Sequence, residues 1–191
     1  MQPIFIPPVA NRKNIRTKRS VLLYVVILGV ILAVVAGLGL VLANSANSPV
    51  ASMDRLNARM SSLSLYVEQG RKSARSADLV KVNSDAAILI SGDAAALKLV
   101  TEQAGAAGKT KTVIAEEKQV AETILADLKT ASIDGRFDRE YITTLREQLE
   151  STQTLLAEIN QESSRPAVKD ATKAAFEHFE LIIESLKTVQ L

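Results

Sequence analysis

The chain has 191 residues with no Cys, no Trp and a single His, and 23 Lys and Arg stand against 21 Asp and Glu. Without cysteine, disulfides, thiol catalysis, thiolate metal sites and a cysteine-linked lipid anchor are excluded, so packing alone must hold any exported domain. The formal charge of +2 is no nucleic-acid footprint: five basic residues fall in the first twenty positions, and without them 18 Lys and Arg face 21 acids, a net −3.

Residues 1–20 form a basic tail carrying Arg12, Lys13, Arg16, Lys18 and Arg19 and no acid. Residues 21–43, from Val21 to Ala43, contain no charge, Asn, Gln or Pro. As a helix they reach about 35 Å, enough for a hydrocarbon core of about 30 Å, and backbone amides in lipid require the helix. The sequence therefore predicts one transmembrane helix. The five flanking cations set its orientation, with the N-terminus cytoplasmic and the C-terminal mass extracytoplasmic. They also favour contact with anionic membrane lipid. A cleaved signal peptide is the alternative, because Val41-Leu42-Ala43 offers a small residue for cleavage. The apolar run is longer than the usual signal core of about 7–15 residues, which favours a signal anchor. Gly29, Ala33 and Gly37 repeat at intervals of four, the spacing that lets membrane helices approach closely, and predict homo-oligomer formation or a membrane protein partner.

After a short linker, 44–49, residues 50–191 have the size of one domain and read as helical throughout. Ser48-Pro49 starts a first helix with Met53, Leu56, Met60, Leu63 and Val67 on one stripe. Gly70 is expected to fray or stop it, and Leu65 and Tyr66 beside the stripe are candidate contact residues. A second helix begins near Ser76 with Leu79, Val82, Ala86 and Leu89. Ser91-Gly92-Asp93 should interrupt it before Leu97 and Val100, giving one kinked helix or two short ones that end at Gly105 and Gly108. The third helix carries Val113, Val120, Ile124, Leu128 and Ala131. Ile133-Asp134-Gly135-Arg136 reads as a turn, and Asp138 as the cap of a fourth helix with Ile142, Leu145, Leu149, Leu156 and Ile159. Ser163-Ser164-Arg165-Pro166 breaks the chain before a last helix bearing Val168, Ala171, Ala175, Ile182 and Val189, with Phe176, Phe179, Ile183 and Leu186 alongside. Short connections favour antiparallel neighbours. The fold class expected is all-α: one N-terminal transmembrane helix, then an antiparallel up-and-down bundle of four or five helices.

Motifs that could carry chemistry resolve into structural readings. Gly105-Ala106-Ala107-Gly108-Lys109-Thr110 ends like a phosphate loop, but Gln103 stands where its first glycine belongs and a helix precedes it. Asp134 to Asp138 supplies two acids, too few for a calcium loop. Glu116-Glu117, Glu140, Glu147 and Glu150 read as solvated faces pairing with Lys118, Arg139 or Arg146. His178 reads as a histidine at the edge of the core, and pH sensing is the simplest role for it if it has one. No nucleophile, base and orienting acid can be assembled around one histidine.

The stretches Phe137-Asp138-Arg139-Glu140-Tyr141-Ile142, Leu155-Leu156, Arg165-Pro166-Ala167-Val168-Lys169 and Glu177-His178-Phe179 resemble the C-terminal half of exported bacterial ferritin-like four-helix-bundle domains, a family of unknown function. A di-metal bundle needs paired Glu-x-x-His motifs. One histidine cannot furnish two, and Leu149 stands where such proteins often carry a histidine. The resemblance implies the scaffold without its metal-binding histidines.

The function expected is that of a single-pass cell-envelope protein presenting a non-catalytic helical bundle for protein interaction or structural support. No catalytic residue, cofactor or metal is expected, and no nucleic acid. The alternatives are a sensor or accessory ectodomain that couples ligand binding to a membrane partner, with a cytoplasmic tail too short for an output domain, or a degenerate ferritin-like domain.

Overall fold

The computed structural model describes residues 49–105 and 108–191. Among these the chain is five helices and no strand: α1 Pro49–Ser73, α2 Ala77–Gln103, α3 Lys111–Ile133, α4 Phe137–Glu162 and α5 Pro166–Lys187. No helix among the described residues is long and apolar enough to cross a membrane. The segment expected to do so, 21–43, with Gly29, Ala33 and Gly37, lies outside the described residues, as do Arg12, Lys13, Arg16, Lys18 and Arg19.

Helices α1, α2, α5 and α4 pack in a ring, each against the next, and α3 lies on α1 and α4. Cross-helix hydrogen bonds fix the directions. Asn57 meets Thr101 and Asn83 meets Val67, so α1 and α2 run antiparallel. Asp93 meets His178 while Ser76 meets Gln190, so α2 and α5 do too. Asn160 reaches Thr172 and Gln153 reaches Phe176, which sets α4 against α5 in the same way. The Asp54 carboxylate takes amide protons from the stretch that opens α3, and Glu117 pairs with Arg55 and Arg59. Helix α3 therefore runs parallel to α1.

The stripes read from the sequence form the core. Leu56, Met60 and Leu63 of α1, Leu79, Ala86 and Leu97 of α2, Leu145, Leu149 and Leu156 of α4, and Ala175, Phe179 and Leu186 of α5 are all buried. Side chains of this kind stabilise by about 1.5–3 kcal/mol each when fully buried, and that burial is what makes helices of this length stable in water. Leu149 lies in the core.

Several expectations are corrected. Helix α1 continues through Gly70 to Ser73, because Gly70 is buried against α2 and α4, where no side chain fits. Helix α2 runs unbroken through Ser91-Gly92-Asp93, with Ile90 and Asp93 in register on the buried face. Asp138 does not cap its own helix. Arg136 occupies that position, and the Asp138 carboxylate accepts from the backbone N–H groups of Arg75 and Ser76 ahead of α2. Tyr66 is buried; only Leu65 beside it is exposed. In α3, Val120 points outward and Ala121 takes the inner position.

Candidate functional site

Helix α2 presents two stripes. Its inner one, Leu79, Asn83, Ala86, Ile90, Asp93, Leu97 and Thr101, repeats at spacings of three and four and is buried throughout. Its outer one, Ile88, Gly92, Ala95 and Leu99, follows the same spacing and is exposed throughout. Ile88 is 72% exposed and Leu99 57%, and on the neighbouring helix α5 Leu181 is 61% exposed. An ordinary solvated helix face carries charge here. Between residues 86 and 97 this one carries none outside Asp93, which points inward.

Asp93 is the chemically unusual residue of the inner stripe. It is 7% exposed, and its Oδ1 lies 2.9 Å from Nδ1 of His178 on α5. With the carboxylate ionised, Nδ1 carries the proton and donates it, leaving Nε2 free to accept. The His178 side chain remains 39% exposed, so the imidazole spans from the buried acid to water. Oδ2 of Asp93 is buried with no hydrogen-bond partner among the described residues. Burial holds the Asp93 pKa above its ordinary value, and the bond and charge of His178 pull the other way without cancelling it.

Three other polar clusters hold helices together. Tyr141 of α4 donates to Asn83 of α2, which in turn donates to the Val67 carbonyl of α1 at 3.0 Å. The Phe137 ring stacks on Tyr141 with centroids 5.3 Å apart. Glu117 of α3 sits 3.4 Å from Nε of Arg55 and 3.2 Å from Nε of Arg59, and Arg59 also donates to the Ser151 carbonyl of α4. Asp54 accepts from the backbone N–H groups of Gly108 and Thr110 at 2.8 and 2.7 Å, which ties down the connection into α3. Glu117 was expected on a solvated face; it is a half-buried latch because α3 lays this side on the basic side of α1.

The surface of the described residues carries shallow clefts. One of about 380 Å³ lies between α4 and α5 beside Phe176 and Thr172. One of about 560 Å³ lies at the end of the bundle beside Arg75, Arg139 and Phe137. Among the described residues no three His, Asp or Glu side chains gather in a way that could hold a metal ion. Sequence reasoning placed His178 at the edge of the core but missed its partner. The signal was present, since Asp93 is three residues from Ile90 and four from Leu97, on the face that must be buried. Gly105, Gly108 and Gly135 have positive φ, as turn positions require. Compared with protein-family models, curated proteins and solved structures, the chain matches none.

Proposed function

We propose that this chain is a single-pass envelope protein, anchored through 21–43 with its N-terminus in the cytoplasm, whose helical bundle serves protein interaction or structural support outside the membrane and performs no catalysis. The observation that carries the interaction role is the exposed, uncharged outer stripe of α2, with Leu181 exposed on the neighbouring helix α5. Large apolar side chains grouped on one face, and not scattered singly, mark contact surfaces. The uncharged run of 21–43 behind a basic tail supports the anchor.

Carbonate extraction and protease protection test the reading together. The full-length chain should stay in the membrane pellet. Protease added outside should digest the bundle and spare an N-terminal tag. Recovery of the chain in the soluble fraction with its first forty residues intact would overturn the anchor.

A second reading, a sensory ectodomain acting through a membrane partner, is favoured by Asp93 and His178, an acid–imidazole pair with one carboxylate oxygen unpartnered among the described residues. Crosslinking of the bundle to a membrane partner that is lost in His178→Gln and in Asp93→Asn, with the helicity of the bundle unchanged, would favour it.

A further inference from the structure

The geometry points to a second copy of this chain as the occupant of the outer face of α2, laid antiparallel across it with the twofold axis between Ser91 and Gly92. This deepens the interaction role proposed above and rests on it.

Gly92 lies in the middle of a 27-residue helix and is exposed. A Cβ added there would meet nothing within 4 Å among the described residues. Glycine inside a helix costs about 1 kcal/mol relative to alanine. At Gly70 the fold explains that cost, because Tyr141 and Asn83 fill the space a side chain would need. At Gly92 nothing among the described residues does. Ser91, Gly92, Ala95 and Ala96 together form a level stretch of small residues, bracketed by Ile88 and Leu99. Small residues of this kind let a second helix come close.

The flanks select the partner and its register. An antiparallel copy centred between Ser91 and Gly92 brings each residue to the height of one in the other chain. Ile88 meets Ala95 and Leu99 meets Ser84, so both large apolar residues of the stripe face small ones. Lys81 meets Glu102 and Asp85 meets Lys98, so each charge at the ends finds its opposite. Shifting the centre by two residues, to between Asp93 and Ala94, sets Ile88 on Leu99, Gly92 on Ala95 and Asp85 on Glu102. That register crowds the large residues, leaves a gap between the small ones and opposes like charges. A closed twofold pairing of one surface with itself is the commonest form of association.

The chain contains no cysteine, so a single introduced cysteine reports its own contacts. In membranes carrying the full-length chain, Ser91→Cys and Gly92→Cys should each give a disulfide-linked dimer on mild oxidation. Thr123→Cys, on the exposed side of α3, should not. Lys81→Glu should lower the yield of the Gly92→Cys dimer about fivefold, since the twofold repeats the loss of a surface ion pair. Adding Glu102→Lys should restore it. Dimer yields at both positions no higher than at Thr123→Cys would overturn the proposal, as would a charge reversal that Glu102→Lys fails to rescue. Exclusive crosslinking of Gly92→Cys to a different protein would sink the second copy and leave the interaction role standing. A chain that leaves the membrane yet forms the dimer would sink the anchor and leave the pairing intact.

Discussion

Tyr141 of α4 reaches Asn83 of α2 across the bare backbone of α1 at Gly70, and the three residues lock three helices at one level of the bundle. A Cβ built on Gly70 would lie 2.5 Å from the Tyr141 hydroxyl and 2.5 Å from Asn83 Oδ1. Neither side chain can move away without giving up the hydrogen bond between them. Gly70→Ala is therefore expected to destabilise the bundle by about 2–3 kcal/mol, against the gain alanine brings to an ordinary helix position. Tyr141→Phe leaves the Asn83 oxygen buried without its donor and should cost about 1–3 kcal/mol. Urea unfolding followed by circular dichroism measures both. A stabilised Gly70→Ala would show that the three helices are not in contact here.

Burial pushes the phenols of Tyr66 and Tyr141 well above their ordinary pKa of 10.0. A phenol whose folded pKa is raised stabilises the fold fully below the unfolded value, and that stability is lost as pH climbs above it. The bundle should be insensitive to pH from neutrality to about 10 on this account and then weaken steeply. Phenolate absorbance from these two residues should appear together with loss of helicity. Phenolate from both in a fully helical bundle near pH 10 would contradict their burial.

Asp93 gives the fold an opposite dependence at the acid end. Its folded pKa is raised, chiefly by burial. The folded state therefore takes up a proton at this site more readily than the unfolded chain does, and the stability it contributes is complete below the unfolded value of 3.8 and is lost as pH rises through the folded value. Asp93→Asn removes the titration while keeping the shape. Relative to this variant, the natural chain should be less stable at pH 7 than at pH 3.5, as read from denaturant midpoints. A difference that is flat over this range, or that favours the natural chain more at pH 7, would mean that His178 outweighs burial.

How much of this could be read from the residues depends on what each signal reports. Core stripes were legible because apolar spacing reflects burial directly, and Leu56, Leu145, Ala175 and Ile182 lie where that spacing puts them, whereas Val189 falls beyond the end of α5 and Phe179 and Leu186, read as flanking the stripe, are buried in the core. Gly70 and the Ser91-Gly92-Asp93 stretch were misread for one reason. Glycine and serine weaken a helix locally, and tertiary contact overrode that weakness. At Gly70 the contact is visible; across 91–93 the inner face is carried by Ile90, Asp93 and Leu97. Asp138 and Glu117 were misread for another reason. Local sequence assigns an acid to its own helix, whereas Asp138 serves the start of α2 and Glu117 serves α1, through pairings 62 and 58 residues distant in the chain. The Asp93–His178 pair spans 85 residues and was out of reach of any local rule.

Asp54 should matter more than a surface acid. It is almost fully buried and accepts two backbone amides, Gly108 at 2.8 Å and Thr110 at 2.7 Å, that α3 cannot satisfy within its own first turn. Asp54→Ala orphans both amides. Hydrogen bonds to a charged acceptor contribute about 1.5–3 kcal/mol each, and the freed amides regain some of that from water. A net loss of about 2–4 kcal/mol is expected. Proteolysis should become faster within 105–111, where the connection is released. A cleavage pattern identical to that of the natural chain would show that the connection is held by something else.

Helix α3 is the least firmly held element, and Glu117 is its main polar tie. Val113, Ala121, Leu128 and Ala131 are its buried side chains, two of them alanines, whereas α4 buries eight residues, among them Phe137, Tyr141 and Leu149. Small apolar contacts contribute little, so the Glu117 carboxylate between Arg55 and Arg59 carries a large share of the attachment. These side chains are 16%, 17% and 25% exposed, so water screens the pair less than it screens surface pairs. Glu117→Gln keeps the shape but leaves two guanidinium groups facing each other without their anion, and should cost about 1–3 kcal/mol. Lys118→Ala on the exposed side of the same helix removes a long 3.9 Å pair with Glu122 and should change stability by less than about 0.5 kcal/mol. Native-state hydrogen exchange separates local release from global loss. In Glu117→Gln the amides of α3 should exchange at least about tenfold faster, while those of α2 and α5 move only with the global stability. Uniform acceleration across all five helices would show that α3 does not open apart from the rest, and that it is as integral to the bundle as the other four.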